Sequence, residues 1–274
     1  MSAEALPYTL LIIFAEFTIG GLWVLWLADV RGAATPSFIK FGAALVFVTA
    51  ALTFWIGAKV SVSAEVDGYP LDPSFMPPAR IALALVFALT LPYAVLSLIG
   101  ARRPGLVAGG VVSATGLVAI ALLSQVFALP TWGYPGTLLS LTIGALALGA
   151  VSMGMILGHW YLVTPRLPEQ PLREMTLFLL LALGFQALLI IPSLVLPREE
   201  IANSLDTPIA LNPFFWMRVG GGLAFPFALS YMAFDSSGVR AMQSATGLLY
   251  IAMALVLAGE ILAKGLLFAT AVPT

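Results

Sequence analysis

The chain has 274 residues, 61 % of them hydrophobic and only 9 % charged, with a formal net charge of −1. A soluble domain carries about 25 % charged residues, so twelve basic and thirteen acidic side chains are too few to cover a soluble surface of this size. The composition excludes a soluble enzyme, a disordered chain, which needs low hydrophobicity, and a basic nucleic-acid binder.

An apolar bilayer core about 30 Å thick needs about 20 apolar helical residues to cross it. Eight segments meet that length: 7–28, 40–59, 80–101, 105–129, 136–160, 174–196, 213–234 and 242–268. The expected fold is an all-α polytopic membrane protein, a bundle of about eight transmembrane helices forming one integral membrane domain over 1–274. The first segment lacks a basic leader and is longer than a signal-peptide core, so it is read as a retained span. Residues 104–165 contain no charged side chain, yet Pro130, Gly133, Pro135 and Gly136 break them into two spans. Trp132 and Tyr134 in that break suit headgroup depth.

The basic residues give an orientation. With the N-terminus outside, the inner loops hold Arg31, Lys40, Arg102, Arg103, Arg166, Arg173 and Arg240, whereas the outer side is acidic. Both termini are therefore expected on the outer face of a bacterial cytoplasmic (inner) membrane, in a multi-pass protein. Two outer loops, 60–79 and 197–212, are Pro-rich and acidic, and read equally as docking surfaces for a partner or as plain connectors. Thr18-Ile19-Gly20 in span one is echoed by Thr142-Ile143-Gly144 in span five, which suggests two repeats of four helices. Gly105 with Gly109, and Gly154 with Gly158, have the spacing that lets membrane helices approach closely.

Ionisable side chains inside a membrane are costly, and each is a candidate for function. Here they are Glu16, Arg218, Glu260 and Lys264. At about 1.5 Å per residue, all four fall in the outer half of the bilayer, as does Gln125. Lys264 follows Glu260 by four residues and shares its helix face. Two acids and two bases balance, so one reading is ion pairing that holds spans one, seven and eight together. The other is a polar pocket for a quinone or for protons, with a carboxyl group as proton donor or acceptor. Asp29 and Asp235 lie at inner helix ends, near water. His159, beside Trp160 and Tyr161 at the inner end of span five, reads as an interfacial hydrogen-bonding residue, or as a ligand or proton entry point. Pro92, Pro192 and Pro226 lie within spans, and with Gly220-Gly221-Gly222 they suggest an opening in the bundle. Catalytic residues and metal ligands are not evident. There is no phosphate loop, dinucleotide fingerprint or His-rich cluster. The absence of cysteine leaves no thiol chemistry and no Cys-ligated cluster. One histidine excludes bis-His haem within one chain, and counting leaves only a His/Met haem open.

Two segments carry a family resemblance. The opening Glu4-Ala5-Leu6-Pro7-Tyr8-Thr9, continuing through Phe14-Ala15-Glu16-Phe17-Thr18-Ile19-Gly20, resembles the first helix of the DmsC membrane anchors of dimethyl sulfoxide reductases, with Glu16 where those anchors carry Gln. The closing Gly259-Glu260-Ile261-Leu262-Ala263-Lys264-Gly265-Leu266-Leu267-Phe268 is similar to their Gly-Glu-x-x-x-Arg-x-x-Phe ending, with Lys264 for Arg. Span seven, with Arg218, the glycine run and Pro226, is similar in character, and NrfD-type polysulfide-reductase anchors share the role. The family's His-Leu-Gly and Ser-Trp-Leu-Ser-Arg-Glu segments have no counterpart here. The resemblance implies a non-catalytic anchor subunit of an electron-transfer complex. It would hold no cofactor covalently or through cysteine. Iron–sulfur, molybdenum or cytochrome subunits would dock on the outer side, and a quinone would bind in the outer half of the bundle. A ligand-free scaffold and a small-solute or proton-coupled transporter are the alternatives.

Overall fold

The computed structural model describes residues 3–61, 63–128, 130, 132–164, 166–195, 209–271 and 274. Without water in the bilayer core, backbone polar groups must be satisfied within the span, and the apolar runs do so as helices. These are α1 (Leu6–Arg31), α2 (Pro36–Lys59), α3 (Met76–Leu98), α4 (Arg102–Val126), α5 (Gly133–Val163), α6 (Gln170–Val195), α7 (Pro213–Val219), α8 (Phe225–Gly238) and α9 (Met242–Thr270). Helix starts follow sequence logic. Thr35 caps α2 by accepting from the Phe38 amide, and Asn212 caps α7 by accepting from the Phe214 amide at 2.9 Å, each with Pro in the first turn. At the end of α1, Gly32 takes the left-handed conformation, φ 69°, and its amide reaches back to the carbonyls of Ala28 and Asp29.

Among the described residues, seven helices are individually long and apolar enough to cross a membrane. The expected span 213–234 is instead two helices, α7 and α8, joined by a π-helical turn over Gly220–Ala224. Together they run from Pro213 to Gly238, long enough for one crossing. The widened turn ends two residues before Pro226, which has no amide hydrogen to donate. In the glycine run, a Cβ on Gly220 or Gly221 would meet open space. Gly222 lies against the backbone of Gly259 on α9, where an added Cβ would sit 2.6 Å from the Gly259 Cα.

The helices form two four-membered groups. In one, α1, α2, α3 and α4 pack in sequence, and α4 returns to α1. In the other, α5, α6, the α7–α8 span and α9 do the same, and α9 returns to α5. The groups join mainly through α1 and α5, the first helix of each. There the backbones nearly touch: a Cβ on Gly20 would lie 1.7 Å from the Ala145 carbonyl oxygen, and one on Gly149 would lie 2.1 Å from Gly20. The echoed Thr-Ile-Gly segments thus lie on the two helices that join the halves. The spacings Gly105/Gly109 and Gly154/Gly158 work differently, because Gly109 seats the Trp26 ring and Gly158 the Thr246 side chain.

Tyr8 and Phe268 rings lie 6.4 Å apart, so the first span begins where the last one ends. At that end, the loop after α2 is a small hairpin in which Glu65–Val66 pairs antiparallel with Tyr69–Pro70 around Asp67-Gly68. It is tied to α4 by the Asp72 amide donating to the Val126 carbonyl at 3.1 Å. Arg80 of α3 donates to the Gly57 and Val60 carbonyls and so caps the end of α2. This loop is a fitted cover rather than a plain connector. Most of the second expected outer loop, 197–208, lies outside the described residues. At the opposite end, ion pairs tie helix ends together: Arg31 with Glu174 at 2.6 Å, Arg240 with Glu169 at 2.7 Å, and Arg102 with Asp29 at 3.4 Å. Asp29, expected near water, is buried because Arg102 reaches over it.

Candidate functional site

Glu16, Arg218, Glu260 and Lys264 converge on one cluster, with exposures of 0, 0, 1 and 4 %. Three helices carry them: α1, α7 and α9. Glu260 is the centre. Its Oε2 accepts from Lys264 Nζ at 3.2 Å, one helical turn on, and its Oε1 accepts from Arg218 Nη2 at 3.2 Å. Lys264 Nζ also pairs with Glu16 Oε1 at 2.7 Å, across the boundary between the two groups of helices. Charge therefore alternates along a chain from Glu16 through Lys264 and Glu260 to Arg218.

A fifth member, Gln186 of α6, was not anticipated. Its Nε2 donates to Glu260 Oε1 at 2.7 Å, and its Oε1 accepts from Arg218 Nη2 at 3.1 Å. The remaining Arg218 donors reach the Gly222 carbonyl through Nη1 at 3.2 Å and the Thr274 carbonyl through Nε at 3.3 Å. Glu16 Oε2, also buried, has no hydrogen-bond partner among the described residues. Burying a charge is expensive unless it is paired and hydrogen-bonded. Glycines make this arrangement possible. A Cβ on Gly144 would lie 2.6 Å from Glu16 Oε1, and one on Gly259 would lie 2.8 Å from Arg218 Nη1.

Above the cluster, at the end that holds the termini, four rings close the bundle. Phe268, one turn beyond Lys264, meets Tyr69 of the hairpin at 5.4 Å and Phe127 at 6.1 Å, while Tyr8 meets Phe127 at 6.1 Å. The Tyr69 hydroxyl donates to the Phe127 carbonyl at 3.0 Å. Burial pushes its pKa above the usual phenol range, which keeps it a proton donor. A cleft adjoins the cluster, lined by Thr137, Ser140, Lys264 and Thr274 among others. Its volume is about 10 Å³, room for about one water molecule.

The other sequence candidates stand apart. Gln125 is half-buried near the end of α4 and makes no hydrogen bond to the cluster. His159 is exposed at the far end of α5, with its Nδ1 3.3 Å from the Tyr250 hydroxyl. Among the described residues, no three His, Asp or Glu side chains come together as a metal site.

The polar groups of the cluster suit the carbonyls of a quinone chemically, but the cleft lined by Lys264 does not match its size. A quinone ring is far larger than the single-water cleft, and the charged groups already engage one another. Comparison with protein-family models, curated proteins and solved structures finds no match to this chain.

Proposed function

We propose that this multi-pass membrane protein is an anchor and assembly subunit of an electron-transfer complex, and that its buried charge cluster is the clasp that joins its two halves. The observation that carries the clasp is the ion pair between Glu16 of α1 and Lys264 of α9, the link in the charge-balanced network that crosses between the two groups of helices. The electron-transfer assignment rests on the resemblance of the two end segments. Its support is that their polar residues, Glu16 from one and Glu260 and Lys264 from the other, meet in a single site. In this reading the redox centres belong to partner subunits that dock at the end bearing the termini, and electrons do not pass through the clasp.

The test is purification of the tagged protein from its native host in mild detergent. Copurifying polypeptides are identified by mass spectrometry, with a visible spectrum and quinone extraction on the same sample. Iron–sulfur or cytochrome partners without bound quinone are the expected result. A colourless protein without partners overturns the reading and brings forward a transporter, which uptake in proteoliposomes then tests.

A second reading, a quinone-linked proton site, draws on a different observation. The cleft is lined by Lys264, the partner of Glu16, whose second carboxylate oxygen has no hydrogen-bond partner among the described residues. It predicts quinol-analogue binding to the intact complex that is lost in Glu260→Gln while the complex stays assembled.

A further inference from the structure

A polar cleft far larger than the one at the clasp lies elsewhere in the molecule. It lies at the opposite end, inside the first group of helices. A cavity of about 270 Å³ is bounded by the end of α1, the start of α2 and the turn between α3 and α4. Asp29, Lys40, Ser97 and Arg102 supply its polar lining, and Ile39 and Gly105 part of its apolar wall.

Three features describe what it would hold. First, its charges do not cancel, since Lys40 and Arg102 face the single acid Asp29, leaving a formal excess of one positive charge. Arg102 is already fixed over the space, with Nη2 donating to the Asp29 carbonyl at 2.7 Å. Second, hydroxyls nearby lack partners. The buried Ser97 Oγ has none among the described residues, nor has the fully buried Tyr93 hydroxyl one helical turn deeper. A buried hydroxyl without a partner costs free energy that a ligand oxygen would recover. Third, the cavity lies at the membrane end richest in arginine and lysine. Basic pockets between spans at such an end hold anionic headgroups.

We infer that this cavity is a phosphate-binding site for the headgroup of an anionic phospholipid, such as phosphatidylglycerol. One phosphodiester charge matches the one uncompensated cation. Lys40 and Arg102 donate to the phosphate oxygens. Ser97 and Asp29 are left for the headgroup hydroxyls. The acyl chains leave along the apolar outer face of the first helix group.

The experiment is native mass spectrometry of the full chain, stripped of lipid and titrated with dioleoyl-phosphatidylglycerol, dioleoyl-phosphatidylcholine or inorganic phosphate. Two variants are compared with the parent. Lys40→Gln removes a cation. Gly105→Leu fills the cavity and leaves every charge in place, and its Cβ has clearance, the nearest atom lying 3.9 Å away. One phosphatidylglycerol should bind the parent in preference to phosphatidylcholine. Lys40→Gln should weaken it about five-fold, the equivalent of about 1 kcal/mol per basic residue at a membrane surface. Gly105→Leu should abolish it. Displacement of the lipid by millimolar inorganic phosphate, with the same sensitivity to both variants, would support the phosphate site and identify free phosphate as its source. Equal binding of both lipids, or phosphatidylglycerol binding unchanged in both variants, would overturn the inference.

Discussion

Glu260 holds two cations at once, Lys264 on its own helix and Arg218 across from it. Removing one member of such a buried chain leaves an uncompensated charge, at a cost of about 3–5 kcal/mol, whereas removing a matched pair costs much less. Lys264→Met should therefore lower stability by about that amount in detergent unfolding. The double variant Glu16→Gln with Lys264→Met should recover a substantial part of the loss. Additive losses would show that Glu16 and Lys264 are not coupled. Gln186→Leu should cost about 1–3 kcal/mol, the penalty for leaving hydrogen-bonding partners unsatisfied. The four ions were legible in the sequence because a charge in an apolar run has to find a partner. Gln186 was not, because a neutral amide in span six gives no such demand, and its polarity alone was the available signal. Gln125 has the same chemistry, yet it stands near a helix end, away from the cluster.

At the scale of helices, glycine positions decide which backbones touch. Gly149→Val would drive a side chain into the backbone of Gly20, so it should prevent accumulation of folded protein. Gly221→Ala meets open space and should leave the melting temperature nearly unchanged. A comparison of expression and thermal unfolding checks both. Span number and most boundaries were readable from apolar run length, since the bilayer sets one length for every crossing. The π turn was not, because a widened turn changes neither run length nor composition. Nor could four-residue glycine spacing identify the closest contacts. The pairs Gly20/Gly149 and Gly222/Gly259 lie on different helices, and only packing brings them together.

For the whole molecule, the two groups of four helices leave both chain ends at one end of the bundle. The chain has no cysteine, so a single introduced one reports unambiguously. Glu4→Cys and Glu65→Cys should react with an impermeant thiol reagent from one side of intact cells, and Arg103→Cys only after permeabilisation. The reverse pattern would invert the orientation read from the basic loops. The hairpin is open to a similar test. Tyr69→Ala removes a ring and a hydrogen bond from the cover, so Ala263→Cys beside the cluster should become more reactive in that background.

The four charged side chains of the clasp sum formally to zero, and this has an electrical consequence. A transmembrane voltage exerts no net force on a neutral group, so the resting clasp should be indifferent to membrane energisation. A single proton gained or lost there ends that indifference. A unit charge carried across the full membrane is worth about 2.3 kcal/mol per 100 mV. Proton exchange at Glu16 would sample the fraction of the field lying between it and water. The same neutrality that keeps the structure insensitive to voltage would make any proton chemistry in it a voltage-dependent event.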